Sequence, residues 1–170
     1  MILLIMVNTF LPYASFRKCA RTLDYRRLGK QRVEAMQIIR TIERIEKGED
    51  NFPWSHHPAV RMWIGYSNSL KFYHNCMIKE WIKRGYKNNM VLYEIEKPIV
   101  KPWWVKWKPF QYSHRASLLR KAPDFYQEKF YIPKKYHKYG YIWPSKLDSQ
   151  IIKLAKKNKR VNVKVIFADK

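Results

Sequence analysis

The segment from Asp24 to Gly48 constrains the fold more than any other stretch of the sequence. Asp24 is a residue type that caps helices, and behind it Val33, Ala35, Met36, Ile39 and Ile42 recur at helical spacing until Gly48 supplies a stop. The other side of this helix carries Arg26, Arg27, Lys30, Arg32 and Arg40. A helix so divided buries its apolar face in a core and offers its cationic face to a partner. A face that was merely solvated would mix signs, whereas the first half of the chain has almost no acids to balance these cations.

The imbalance extends over all 170 residues, with 35 Lys and Arg against 13 Asp and Glu and a formal net charge of +22. That excess goes beyond what solubility requires and calls for a polyanion. Nucleic acid is the first candidate, because each phosphate neutralised by Lys or Arg releases a condensed counterion. An anionic membrane surface is the second. A hydrophobic fraction of 46% with 16% aromatic residues excludes a disordered basic tail and is enough for a core within one domain. Most rings are expected in that core, with some available to stack on bases. Cys19 and Cys76 fit neither a zinc knuckle nor a disulfide framework and read as buried, reduced thiols. Met1 to Met6 is apolar but too short to span a bilayer, and it lacks the features of a signal peptide. The expectation is an intracellular protein.

Along the chain, Val7 to Tyr13 reads as an extended lead tucked against the domain, and Ser15 as the cap of a short helix from Phe16 to Ala20. A second long helix is expected from Pro58 to Arg84-Gly85, with Trp63, Leu70 and Met77 at heptad spacing. Tyr93 to Phe110 should be extended or irregular. Helix resumes at Ser113 and breaks at Pro123, with a further turn from Asp124 to Phe130. Tyr131 to Pro144 reads as loop, Ser145 to Asn158 as a basic amphipathic helix and Val161 to Phe167 as a short strand. The division is a helical domain over 1–144 and a basic C-terminal extension over 145–170.

Four groups of residues carry chemistry. On the first long helix, Arg26, Arg27 and Lys30 form a phosphate clamp punctuated by two acids, Asp24 and Glu34. Glu34 lies seven residues after Arg27, nearly at the same angular position. A carboxylate inside a cationic surface repels DNA, which points to chemistry, although Asp24 also suits a helix cap and Glu34 an ion pair. Ser55-His56-His57-Pro58 with Arg61 is read as capping and packing ahead of DNA contact, with no metal site. Ser113-His114-Arg115, with Arg120 and Lys121, would bind phosphate at a helix start, and His114 could also carry a proton. Trp103, Trp104 and Trp107 among lysines suit either a platform for splayed bases or core packing.

Together these pieces resemble the pyrimidine-dimer DNA glycosylase family, the bacteriophage endonuclease V type. The resemblance runs from about Val7 to Pro144. It rests on Asn8-Thr9-Phe10-Leu11-Pro12, on Leu23-Asp24-Tyr25-Arg26-Arg27-Leu28-Gly29-Lys30-Gln31-Arg32-Val33-Glu34, and on His57-Pro58-Ala59-Val60-Arg61-Met62-Trp63. Glu80-Trp81-Ile82-Lys83-Arg84-Gly85-Tyr86, Ser113-His114-Arg115 with Leu118-Leu119-Arg120-Lys121, and Pro123-Asp124-Phe125-Tyr126 complete it. It implies a compact, mainly α-helical domain that flips nucleotides in damaged duplex DNA and breaks the glycosidic bond without metal or organic cofactor. It implies no obligate protein partner. In that family an N-terminal amine attacks the sugar carbon to form a Schiff base, a carboxylate on the first long helix assists, and β-elimination nicks the strand.

The sequence departs from this pattern twice. Arg27 stands where the family's carboxylate would fall, leaving Glu34 as the preferred replacement and Asp24 as the second. Six residues precede Val7, so its amine is free only if Met6 is the true start and is removed; otherwise Lys30 would have to supply the Schiff base. The expected activity is therefore a DNA-repair glycosylase for pyrimidine dimers, with abasic-site lyase activity. The alternatives are a non-catalytic DNA-binding protein on this scaffold, or a glycosylase or nuclease for another modified base. Arg26, Arg27, Lys30 and Arg32 would track phosphates, and Arg61, His114, Arg115, Arg120 and Lys121 would complete the groove.

Overall fold

Ser15 and Asp24 open the first two helices through the hydrogen bonds their side chains predict. The computed structural model of the chain describes residues 7–144 and 164–168. In it the Ser15 hydroxyl accepts from the Lys18 N–H at the start of α1 (Phe16–Thr22), and the Asp24 carboxylate accepts from the Arg27 N–H at the start of α2 (Tyr25–Glu46). Helix α2 buries Leu28, Ala35, Ile38, Ile39 and Ile42 along one stripe. Two positions on it differ from the periodic reading. Val33 is exposed, and the polar Gln31 is fully buried in the stripe.

The expected helix from Pro58 to Arg84 is two helices, α3 (Pro58–Arg61) and α4 (Ser67–Lys83). The first ends at Arg61, and Gly65, at φ +85° in the left-handed region, turns the chain before the second begins. His57 caps α3 by accepting from the Ala59 N–H. Helix α5 (Lys108–Lys121) also corrects the sequence reading, because it begins five residues before Ser113. Pro109 suits its first turn, and a 3₁₀ turn over Trp103–Lys106 leads into it through a stretch expected to be irregular. Helix α6 (Pro123–Tyr126) follows the break at Pro123.

Tyr131 to Pro144, read as loop, contains a 3₁₀ turn over Lys134–Lys138 and a strand, β1 (Tyr139–Pro144). This strand pairs in parallel with β2 (Lys164–Ala168), with Ile142 opposite Ile166. The strand expected over Val161 to Phe167 is thus seen in its second half. The expected helix over Ser145 to Asn158 lies outside the described residues. The chain is mainly α-helical, as its sequence implies.

Helices α1, α2 and α4 enclose the main core, where Phe16, Trp63, Tyr73 and Trp104 make edge-on and tilted contacts with ring centroids 4.9 to 6.3 Å apart. Trp103 and Trp107 pack on the rim of the same core, so the tryptophan run serves packing. Cys19 and Cys76 are free and buried.

Helices α2 and α4 meet tightly at Gly29 of α2, where an added Cβ would stand 3.0 Å from the Trp81 ring. That ring cannot easily retreat. Its N–H donates to the Lys87 carbonyl, Tyr86 stacks with its centroid 4.3 Å away, and the Arg32 guanidinium lies 4.1 Å from its centroid. In Gly29→Ala, overpacking of about 1–3 kcal/mol outweighs a helix-propensity gain of about 1 kcal/mol. The expected outcome in urea unfolding is a net loss on the order of 1 kcal/mol, and a stabilised variant would show that the ring yields.

Candidate active site and nucleic-acid interface

The extended lead from Val7 to Tyr13 has no strand partner among the described residues, so its backbone groups find other partners. Side chains from three helices supply them. Gln31 of α2 accepts from the Phe10 N–H at 3.0 Å and donates to the Asn8 carbonyl at 3.1 Å. The Tyr73 hydroxyl of α4 lies 2.9 Å from the Phe10 carbonyl, and His114 Nδ1 of α5 accepts from the Leu11 N–H at 3.0 Å. Arg115 Nε donates to the Pro12 carbonyl, and the Trp63 indole donates to the Thr9 hydroxyl. Val7 is fully buried at the head of this segment.

Glu34 meets the lead at that head. Its carboxylate accepts from Gln31 Nε2 at 2.8 Å, and the Asn8 N–H faces it from the residue next to Val7. Burial pushes the carboxyl up to about 7; the Asn8 N–H, Lys30, Gln31 and Lys121 favour the charged form and keep it from rising further. A carboxyl near 7 can both give and take a proton at neutral pH. Lys121 arrives from the last turn of α5. Desolvation, and then the neighbouring Arg27, lower its pKa. Tyr141 of β1, half-buried, reaches the Ser117 hydroxyl at 2.8 Å and completes the wall on that side.

Of the residues expected from sequence, the structure therefore brings together Val7, Lys30, Glu34, Arg27 and Lys121. Arg26 and Lys30 are exposed on α2, and Arg120 is exposed on α5 with its guanidinium toward the His137 carbonyl. Arg61 is half-buried in the last turn of α3.

Four expectations need correction. Asp24 is a cap: it is buried, receives the Tyr126 hydroxyl at 2.5 Å and pairs with Arg27 at 3.2 Å, which leaves it no free edge for substrate. Arg32 lies over Trp81 and donates to Asn88, away from the Glu34 side of α2. His114 is fully buried, well inside α5, and burial lowers its pKa to about 3, so it neither meets phosphate nor carries a proton near neutrality. Arg115 is spent on the Pro12 and Tyr131 carbonyls and on the rings of Tyr13 and Tyr112. A phosphate site at these two residues requires a helix start at Ser113. In fact Ser113 is buried inside the helix, and its hydroxyl donates to the Phe110 carbonyl.

A model of the pyrimidine dimer DNA glycosylase family matches residues 7–94, from the buried Val7 through α4. The match spans more than half of the chain. The protein belongs to this family. No curated protein and no solved structure matches it. Its membership among the pyrimidine dimer DNA glycosylases makes it a DNA-repair glycosylase at the level of the family, with DNA as its substrate. Val7, Gln31, Glu34 and Tyr73 all lie inside the matched span, whereas α5, which brings Lys121, lies beyond it. Among the described residues no helix is long and apolar enough to cross a membrane.

Gln31 and Tyr73 are the site residues that sequence reasoning passed over. A glutamine in the middle of an apolar stripe was the available signal for the first. Tyr73 was indistinguishable from core, which it also is.

The raised Glu34 pKa has a consequence for stability. The unfolded chain ionises this group from about 4.5 upward and the folded chain only near 7, so stability is lost as pH rises through that window. Glu34→Gln is therefore expected to raise the melting temperature at pH 8 relative to the parent while matching it at pH 4. Equal melting temperatures at pH 8 would mean that the carboxyl is not held against its charge.

Proposed function

We propose that this pyrimidine dimer DNA glycosylase excises dimerised pyrimidines from duplex DNA and nicks the resulting abasic strand, using the Val7 amine as nucleophile and Glu34 as the proton-transferring carboxylate. The observation that carries the proposal is the Asn8 N–H facing the Glu34 carboxylate, because the nitrogen of Val7 is then one residue from a carboxyl titrating near 7. The proposal requires Met6 to be the initiator and to be removed. Mass spectrometry of protein from its native host should then find a chain beginning at Val7.

In this chemistry the neutral amine forms a bond to sugar C1′ as the glycosidic bond breaks, and the base departs with a proton from the carboxyl. The sugar ring opens to an iminium. Loss of a C2′ proton then sends electrons into the iminium and expels the 3′ phosphate. Arg27, Lys30 and Lys121 favour the neutral amine by raising the cost of a further positive charge. They also hold the phosphates while the nucleotide is flipped, a step costing a few kcal/mol, roughly. Glu34 takes over the role that Arg27 vacates, since the lead crosses α2 at Gln31 and Glu34, beyond its first turn.

Glu34→Gln should reduce strand cleavage by about 100-fold or more while leaving DNA binding intact or tighter. Borohydride should trap the Val7-start protein on abasic DNA, should fail with the N-acetylated form, and should still succeed with Lys30→Ala. Failure of every form to trap would remove the lyase step. Equal cleavage of irradiated and intact duplex would remove the dimer as target, and no cleavage of any DNA would leave a binding protein.

For the interface, removing a phosphate-facing cation, as in Arg26→Ala, Lys30→Ala or Lys121→Ala, should lower the slope of log affinity against log salt by about 0.9 each. Arg32→Ala, which removes a cation packed on Trp81, should leave the slope unchanged.

A further inference from the structure

We propose that Gln31 is the positioning residue of this site: its amide, held in a single orientation, docks the N-terminal lead onto the Glu34 carboxylate and gives that carboxylate a hydrogen-bond donor that cannot turn away. The proposal rests on Glu34 being the working carboxylate.

The orientation follows from the partners. Gln31 Oε1 receives the Phe10 backbone N–H at 3.0 Å, a group that can only donate, and lies 2.6 Å from the Tyr73 hydroxyl, whose single proton it shares with the Phe10 carbonyl. Its Nε2 faces the Asn8 carbonyl at 3.1 Å and Glu34 Oε2 at 2.8 Å, both acceptors when Glu34 is ionised. A flipped amide would set oxygen against a carbonyl and a carboxylate, and NH₂ against an N–H, so it would lose all three of these contacts at once. Both Nε2 hydrogens are thus committed, one to the lead and one to Glu34, and the side chain is fully buried. A buried glutamine with every polar group engaged is rigid and costly to disturb.

The same amide therefore sets two quantities. It fixes where residues 7 and 8 lie relative to the carboxylate, and it favours the ionised carboxylate over the neutral acid. The other groups facing Glu34 are Lys30 on its own helix, Lys121 from α5, Tyr73 from α4 and Tyr141 from β1. Of these, the two lysines favour the charged form, so the Gln31 contribution adds to theirs against burial.

The test uses the full chain and two readouts: the pH dependence of the Asn8 amide ¹⁵N shift, which reports Glu34 ionisation without activity, and the pH profile of cleavage on abasic DNA. In Gln31→Met both midpoints should move up by about one pH unit or more, the worth of a hydrogen bond to a charged group. Arg32→Ala removes a cation packed on Trp81 outside the site and should leave both midpoints in place. A folded Gln31→Met with an unmoved Asn8 midpoint overturns the proposal. If Gln31→Met does not fold, Gln31→Glu decides, because it keeps an oxygen for Phe10 and Tyr73 and sets a second carboxyl against Glu34. Its upper midpoint must rise further, and an unmoved one overturns the proposal equally. Full cleavage by Glu34→Gln would instead defeat the assignment of Glu34, while the Asn8 titration would still decide what Gln31 does.

Discussion

The structure depends on how an extended segment without a strand partner is kept inside the protein. Seven residues from Val7 to Tyr13 run through the core, and several of their backbone groups are met by Gln31, Tyr73, His114 and Arg115 from three different helices. Buried backbone groups left unpaired would cost about 1–3 kcal/mol each, so these side chains cannot be exchanged freely. The lead in turn ties α2, α4 and α5 to one another. The end of the chain that carries the proposed nucleophile is thereby held as firmly as a core strand.

This explains why polar residues that look functional in the sequence are structural here, and the reverse. His114 and Arg115 have the chemistry of a phosphate site, yet both face inward because the lead needs an acceptor at Leu11 and a donor at Pro12. Their helix begins at Lys108 because Pro109 suits a first turn, a choice that Ser113, another good cap, obscured. The first two helices were legible because Ser15 and Asp24 are caps followed by clear periodicity. The break between α3 and α4 was not, because Gly65 sits inside an apolar pattern that runs on across it. Gln31 shows the limit most clearly: periodicity places it on the buried stripe, but only the path of the lead says what it is there to bind.

The charge of the chain acquires a division of labour. Arg32, Arg84 and Arg115 are consumed inside the fold, on Trp81, on the Ala20 and Arg21 carbonyls and on the lead. Lys30 and Lys121 remain exposed beside Glu34. Guanidinium, planar and weakly hydrated, suits the buried tasks; ammonium, a compact and strongly hydrated charge, suits the rim. A net charge of +22 is therefore not a uniform coat, although most of it still acts on any polyanion that approaches.

The placement of the carboxylate follows from the same geometry. A residue seven positions along a helix returns to almost the same face, displaced by about 10 Å along the axis. Arg27 and Glu34 are related in this way, so a carboxylate at the second position can serve the proposed amine only if that amine lies equally far along the helix. The lead makes that possible, since it crosses α2 at Gln31 and Glu34 and not over the first turn, where Asp24 and Arg27 are already locked to each other and to Tyr126. Holding a carboxyl there works against stability at neutral pH, because burial resists its charge. Packing alone would be served as well by the uncharged isostere glutamine, so the cost of the carboxyl accords with the proton transfer proposed for it beneath its rim of lysines.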